Sequence, residues 1–169
     1  MQTLVQNFGV ANYLIPVTRT TDSSIDTAAG QAAWLSLKGY SKVTWIIQFG
    51  AMTEADLTVK VYQAKSVSGS SQSSTALAMT HYWTNNVSSA ATGLMVRTAA
   101  ASSQAAANAT SNTMIAFETD AKQLNALSSF DCVGLVFAGI SSAATMFNVT
   151  AILHDPRYAS DPMIVDANA

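Results

Sequence analysis

Two histidines, one cysteine and ten carboxylates are the groups in this chain that could do chemistry. A metal or catalytic centre needs such groups to converge on one ion or one reacting atom. His81 and His154 each lack a second histidine or a carboxylate at metal-ligand spacing. His154 is followed directly by Asp155, but neighbours along a strand point to opposite faces. Cys132 stands alone, which excludes an internal disulfide and a cysteine-based zinc site. It lies in the apolar run "FDCVGLVFAG" and reads as a small buried hydrophobe.

The carboxylates are equally dispersed. Glu54 and Asp56 share one connection, and Asp155, Asp161 and Asp166 are spread along the C-terminal segment. Paired acids serve glycoside hydrolysis or calcium binding, but neither requirement is met at these spacings. No glycine-rich phosphate loop, nucleophile elbow or paired-histidine helix is present. The expectation is a protein with no enzymatic activity, no metal and no cofactor. One short stretch, His81-Tyr82-Trp83, could line a sugar site, because aromatic faces stack on carbohydrate. The competing reading is an ordinary half-buried strand. Asn86, Asn108 and Asn148 match the glycosylation pattern. They carry no weight without a secretion signal, and "MQTLVQNFGVANYLIPV" has no basic region leading into a long apolar stretch.

The elements that must position these groups follow from alternation. "SKVTWIIQFG" places Val43, Trp45, Ile47 and Phe49 on one face and the apolar Ile46 on the other, as in a central strand. "DLTVKVYQA" alternates Leu57, Val59 and Val61 against Thr58, Lys60 and Tyr62. The link "GAMTEAD" between them has hairpin length. "NTMIAFET" sets Ile115 and Phe117 against Met114, Ala116 and Glu118. "DCVGLVFAG" aligns Val133, Leu135 and Phe137, and "TMFNVTAILHD" aligns Phe147, Val149, Ala151 and Leu153. "ANYLIPV" is a further strand whose Pro16 suggests a sheet edge. "QAAWLSLKG" and "TALAMTHYW" are weaker candidates, and "DAKQLNALSSF" has room for one or two helical turns starting near Asp120. Eight or nine short strands point to an all-β fold: an antiparallel β-sandwich, jelly-roll-like, with long irregular loops and extended terminal arms. The expected layout is an arm over 1–10, a sandwich over 11–154 and an extended tail over 155–169.

Composition narrows the function. Charged residues make up 11% of the chain, against about 25% in an ordinary globular protein. A net charge of −2 with no basic cluster excludes nucleic-acid recognition. The uncharged run from Asp131 to Asp155 is broken by "AGISSAAT" and reads as two strands with a connection rather than a membrane span. From Ser66 to Phe117 the only formal charge is Arg97. Within it, "TAAASSQAAANATSNT" (98–113) has alanine in quantity but no apolar stripe of helical period, and "SVSGSSQSST" (66–75) has the composition of a flexible connection. Both read as irregular. Charge is depleted where interfaces are buried, because an unpaired ion there costs several kcal/mol. The uncharged middle therefore reads as a region ordered against neighbouring subunits, the alternative being a low-charge, solvent-exposed loop region.

The stretch "GYSKVTWIIQFGAMTEADLTVKVYQA", with Gly39-Tyr40, Val43, Ile47, Gly50, Thr58, Val61 and Gln63, resembles small β-rich proteins of tailed-phage head modules. "FDCVGLVF" and "HDPRYASDP" resemble the same pattern, so the likeness spans roughly residues 10–160. The resemblance implies a capsid cement or decoration subunit on the outer surface of a virion head, made in the host cytoplasm. Its partners would be the major capsid protein and its own copies, commonly as a trimer, with neither nucleic acid nor membrane involved. Apolar residues outside the strand pattern then become candidate contacts: Leu4, Val5 and Phe8 in the N-terminal arm, and Met163 and Ile164 with Arg157 and Tyr158 in the tail. Arg97 joins them as the isolated charge of the middle region. Two alternatives stand beside this: a receptor- or carbohydrate-binding sandwich of a fibre or spike using His81, Tyr82 and Trp83, and a single jelly-roll capsid protein.

Overall fold

The computed structural model describes residues 8–19, 23–24, 34–50, 56–85, 94–100, 104–108, 113–138 and 145–157. They form eleven strands: β1 (Gly9–Arg19), β2 (Ser23–Ser24), β3 (Leu35–Ser36), β4 (Tyr40–Phe49), β5 (Asp56–Ala64), β6 (His81–Asn85), β7 (Val96–Ala99), β8 (Gln104–Asn108), β9 (Met114–Asp120), β10 (Cys132–Ala138) and β11 (Thr145–Pro156). All pairings are antiparallel. One sheet runs β1-β11-β4-β9-β6-β7 and the other β2-β10-β5-β8, with β3 also on β10. The fold is thus all-β, as alternation predicts, and β1 with its Pro16 lies at a sheet edge. β1 and β11 each run two residues past the expected sandwich limits, starting at Gly9 and ending at Pro156. Among the described residues no helix is long and apolar enough to cross a membrane.

The inward sets read from alternation meet in one core. Val43, Trp45, Ile47, Ile115, Phe117, Val149 and Ala151 of the first sheet are at most 1% exposed. They join Val59, Val61, Val133, Leu135 and Phe137 of the second sheet in a single cluster. Phe137 and Phe147 meet across the sheets with ring centroids 4.5 Å apart. Each such side chain contributes roughly 1.5–3 kcal/mol by leaving water. Tyr13 of β1 spans the sandwich: its ring meets Trp45 edge-on at 4.8 Å, and its hydroxyl accepts a 3.2 Å hydrogen bond from Leu135 N–H. That amide lies where the flank of β10 is interrupted, between β3 opposite residues 132–133 and β2 opposite 136–137. Burial holds the Tyr13 phenol well above its usual range, so the hydroxyl stays protonated at neutral pH.

Three expectations are corrected. β4 and β5 do not form a hairpin, because each is the centre of a different sheet: β4 is flanked by β11 and β9, β5 by β10 and β8. The link between them changes sheets instead. The stretch 98–113 is not wholly irregular. It includes the end of β7, and Gln104–Asn108 forms β8, pairing Asp56–Lys60 of β5. Alanine has weak intrinsic strand preference, but an open edge supplies backbone partners that override it. The run 66–75 is also held in place. The hydroxyls of Ser66, Ser68 and Ser70 bond one another at 2.7–3.0 Å, and Ser73 and Leu77 N–H groups donate to the Gln63 and Val61 carbonyls of β5. The run is irregular, as composition predicts, but its backbone partners on β5 lie outside it and leave no mark on its composition.

That loop covers a second, smaller core on the outer side of β10 and β5, where Trp34, Ala64 and Cys132 are buried together. Gly69, at φ +72°, presses against the Trp34 indole with no room for a Cβ. Gly69→Ala adds both backbone strain and a clash. It is expected to destabilise the protein by about 1–3 kcal/mol in denaturant unfolding, with altered Trp34 fluorescence. The Cys132 thiol donates a 3.1 Å bond to Asp131, and burial pushes its pKa up to about 12. Only the thiolate reacts, so a thiol reagent at pH 8 is expected to label Cys132 only when unfolding exposes it. Rapid stoichiometric labelling of the folded protein would contradict this burial.

The "DAKQLNALSSF" segment makes two 3₁₀ turns, Ala121–Gln123 and Ala126–Ser128. Asp120 caps the first by accepting from Lys122 N–H at 2.8 Å, while Gln123 reaches back to the Asp120 amide. Leu124 enters the core, whereas Leu127 is fully exposed.

Candidate functional site

The outer face of the six-stranded sheet is built by residues far apart in sequence. Register places Thr150, Ile46, Ala116, Trp83 and Arg97 in one row across β11, β4, β9, β6 and β7. A second row holds Val10, Ile152, Thr44 and Glu118 on β1, β11, β4 and β9. A third holds Asn148, Gln48, Met114 and Asn85. In these three rows Glu118 and Arg97 are the only formal charges. Val10 and Trp83 are exposed there, and Met146 is exposed further along β11. At the β6–β7 edge Leu94 and Val96 are exposed at 70% and 64%. These three rows, bordered at one end by the charged row of His154, Lys42 and Asp120, are the candidate site.

No family model matches the sequence, and no curated protein matches it. Among solved structures, the SPBc2 prophage-derived protein YomS is similar at a TM-score of 0.43 and 11% identity. The match covers 87% of this chain and 92% of that one.

Near the middle of the face, Thr44, Trp83, Met95, Ala116, Phe117 and Glu118 line a depression of about 300 Å³. Alanine at 116 creates it, since its cross-strand neighbour is Trp83 and a larger residue would fill the space beside the indole. Thr44 Oγ1 is joined to His154 Nε2 by a 2.9 Å hydrogen bond. The same imidazole lies 3.8 Å from Glu118 and 3.8 Å from Asp155, contacts that become ion pairs only when it is protonated. The expectation that His154 and Asp155 point apart fails because Asp155 has φ +55°, a left-handed backbone that brings its carboxylate alongside the ring. Even so, no group of three or more metal-ligating side chains forms among the described residues.

The sequence-predicted site residues divide. His81, Tyr82 and Trp83 do not make one aromatic platform: alternation along β6 sends Tyr82 into the core and leaves Trp83 outside, with His81 half-buried. Arg97 is exposed on β7 and donates to His81 Nδ1 at 3.1 Å. Phe8 lies against His154, ring centroids 6.3 Å apart. Arg157 is exposed beside a separate end cleft of about 520 Å³ whose lining includes Leu37, Leu124 and Phe130. There Lys38 pairs with Asp131 at 3.2 Å, an exposed contact of little energetic weight. Leu4, Val5, Tyr158, Met163 and Ile164 lie outside the described residues. Thr44, Met95, Ala116 and His154 were missed as site residues. Alternation marked Ala116 and Glu118 as outward, but nothing local says that Trp83 stands beside them.

Proposed function

We propose that this chain is a structural virion protein, a capsid cement or decoration subunit that binds the outer surface of a phage head through apolar, low-charge contacts. The observation that carries the reading is that three successive rows on the outer face of the six-stranded sheet hold two formal charges, with Lys42 and Asp120 confined to the row at one end. Charges ordinarily keep an exposed sheet soluble and monomeric, and an interface is where their removal is favourable. The nested pairing supports the jelly-roll wrap within this reading. In it β1 meets β11, β2 and β3 meet β10, β4 lies between β11 and β9, and β5 lies between β10 and β8. β6 and β7 then extend the first sheet as an added hairpin. The partner would be the major capsid protein, with the chain itself assembling as a small oligomer such as a trimer. Leu4, Val5, Met163 and Ile164 would supplement the face as arm contacts.

The test is co-sedimentation of purified protein with heads of the encoding phage that lack it, followed by imaging. A fixed stoichiometry on the outer surface, by a protein that stays a small oligomer alone, is the expected result. Shells formed by the chain alone would favour the single jelly-roll capsid reading. Failure to bind heads at all would end the cement reading.

A further inference from the structure

We infer that the depression between Trp83 and Glu118 is a socket for an arginine side chain supplied by a different protein. This rests on the reading that the face meets another polypeptide. Its lining is apolar except for the Thr44 hydroxyl, the Glu118 carboxylate and the Trp83 indole N–H, and Thr44 is already engaged by His154. A sugar ring is held by several hydrogen-bonding partners around it, and this lining offers few. A guanidinium needs fewer: an aromatic face, a carboxylate matching its fork, and apolar walls for its aliphatic stem. Trp83 is 38% exposed, Glu118 has half its side-chain surface in solvent, and Met95, Ala116 and Phe117 complete the walls.

The chain does not fill this socket with its own lysines or arginines. Among the described residues no Lys or Arg lies within ion-pair distance of Glu118. Arg97 lies opposite Trp83 on β7, two strands from Glu118, and is bonded to His81, while Lys42 on the neighbouring β4 pairs with Asp155. Arg19 pairs with Thr145, seven residues along β11 from the Ile152 that shares a row with Glu118. At about 3.3 Å per residue that is roughly 23 Å away. Residues 1–7 and 158–169 contain no Lys or Arg. Among the described residues only the His154 imidazole, when protonated, can pair with Glu118, so a guanidinium in this socket would come from another molecule.

The test titrates N-acetyl-arginine methylamide into the isotopically labelled full chain and follows the Trp83 indole and the Ala116 and Glu118 amides by NMR. The citrulline analogue, a neutral isostere, and methyl hexopyranosides are run in parallel. Saturable shifts with arginine, weakened about tenfold for citrulline and in Glu118→Gln, are expected. Trp83→Ala should abolish them while the core amides stay in place. Equal shifts with citrulline, stronger shifts with a hexoside, or no shift with arginine would each overturn the assignment. So would an oligomer of the chain alone that Glu118→Gln dissolves, since the occupant would then be a second copy. Head binding is measured separately, so a negative titration leaves the cement reading standing.

Discussion

Ile46→Glu is expected to lower binding to phage heads by about a hundredfold or more while leaving the fold intact. Ile46 sits in the middle row of the outer face, between Thr150 of β11 and Ala116 of β9. It is half-buried and outside the core, so substitution there costs no more than about 1 kcal/mol of strand preference. In an interface the new carboxylate loses its water and meets no cation of this chain. That penalty is several kcal/mol, and 1.4 kcal/mol corresponds to tenfold in affinity. Val136→Glu is the matched control. It places the same charge on the outer face of the other sheet, opposite Lys60, and is expected to leave binding unchanged. Equal loss from both variants would mean that the six-stranded face is not the contact surface. Retained binding by Ile46→Glu would mean the same.

Trp45→Ala is expected to cost about 3–5 kcal/mol in denaturant unfolding, a large share of the 5–15 kcal/mol that holds a typical domain. The indole is fully buried at the centre of β4, edge-on to Tyr13, and its Nε1–H donates a 3.0 Å bond to Thr119 Oγ1. Truncation leaves a cavity and removes that donor from a threonine that is itself 2% exposed. Trp45→Phe separates the two effects. It keeps most of the ring volume but still removes the donor, for an expected cost of about 1–3 kcal/mol. A loss below about 1 kcal/mol for the alanine variant would show that Trp45 is not central to the core. Melting temperature should fall by roughly 10 °C in that variant, given 2–4 °C per kcal/mol at this size.

Sequence alone determined which face of the central strands is buried. Period-two alternation is a local property of the chain, so Val43, Trp45, Ile47, Ile115, Phe117, Val133, Leu135, Phe137 and Val149 could be assigned inward without knowing their partners. All of them lie in the core. Low charge likewise announced a surface unlike that of an ordinary soluble domain. Only tertiary structure decided which strands are neighbours. Pairing depends on backbone groups and side chains brought together over long stretches of chain, and no short window contains them. That is why β4 and β5 looked like a hairpin but belong to different sheets, and why an alanine-rich run became β8. It is also why the uncharged surface is assembled from β4, β6, β9 and β11 rather than from one contiguous segment. Trp83 and Glu118, 35 positions apart, share a socket because β6 pairs with β9.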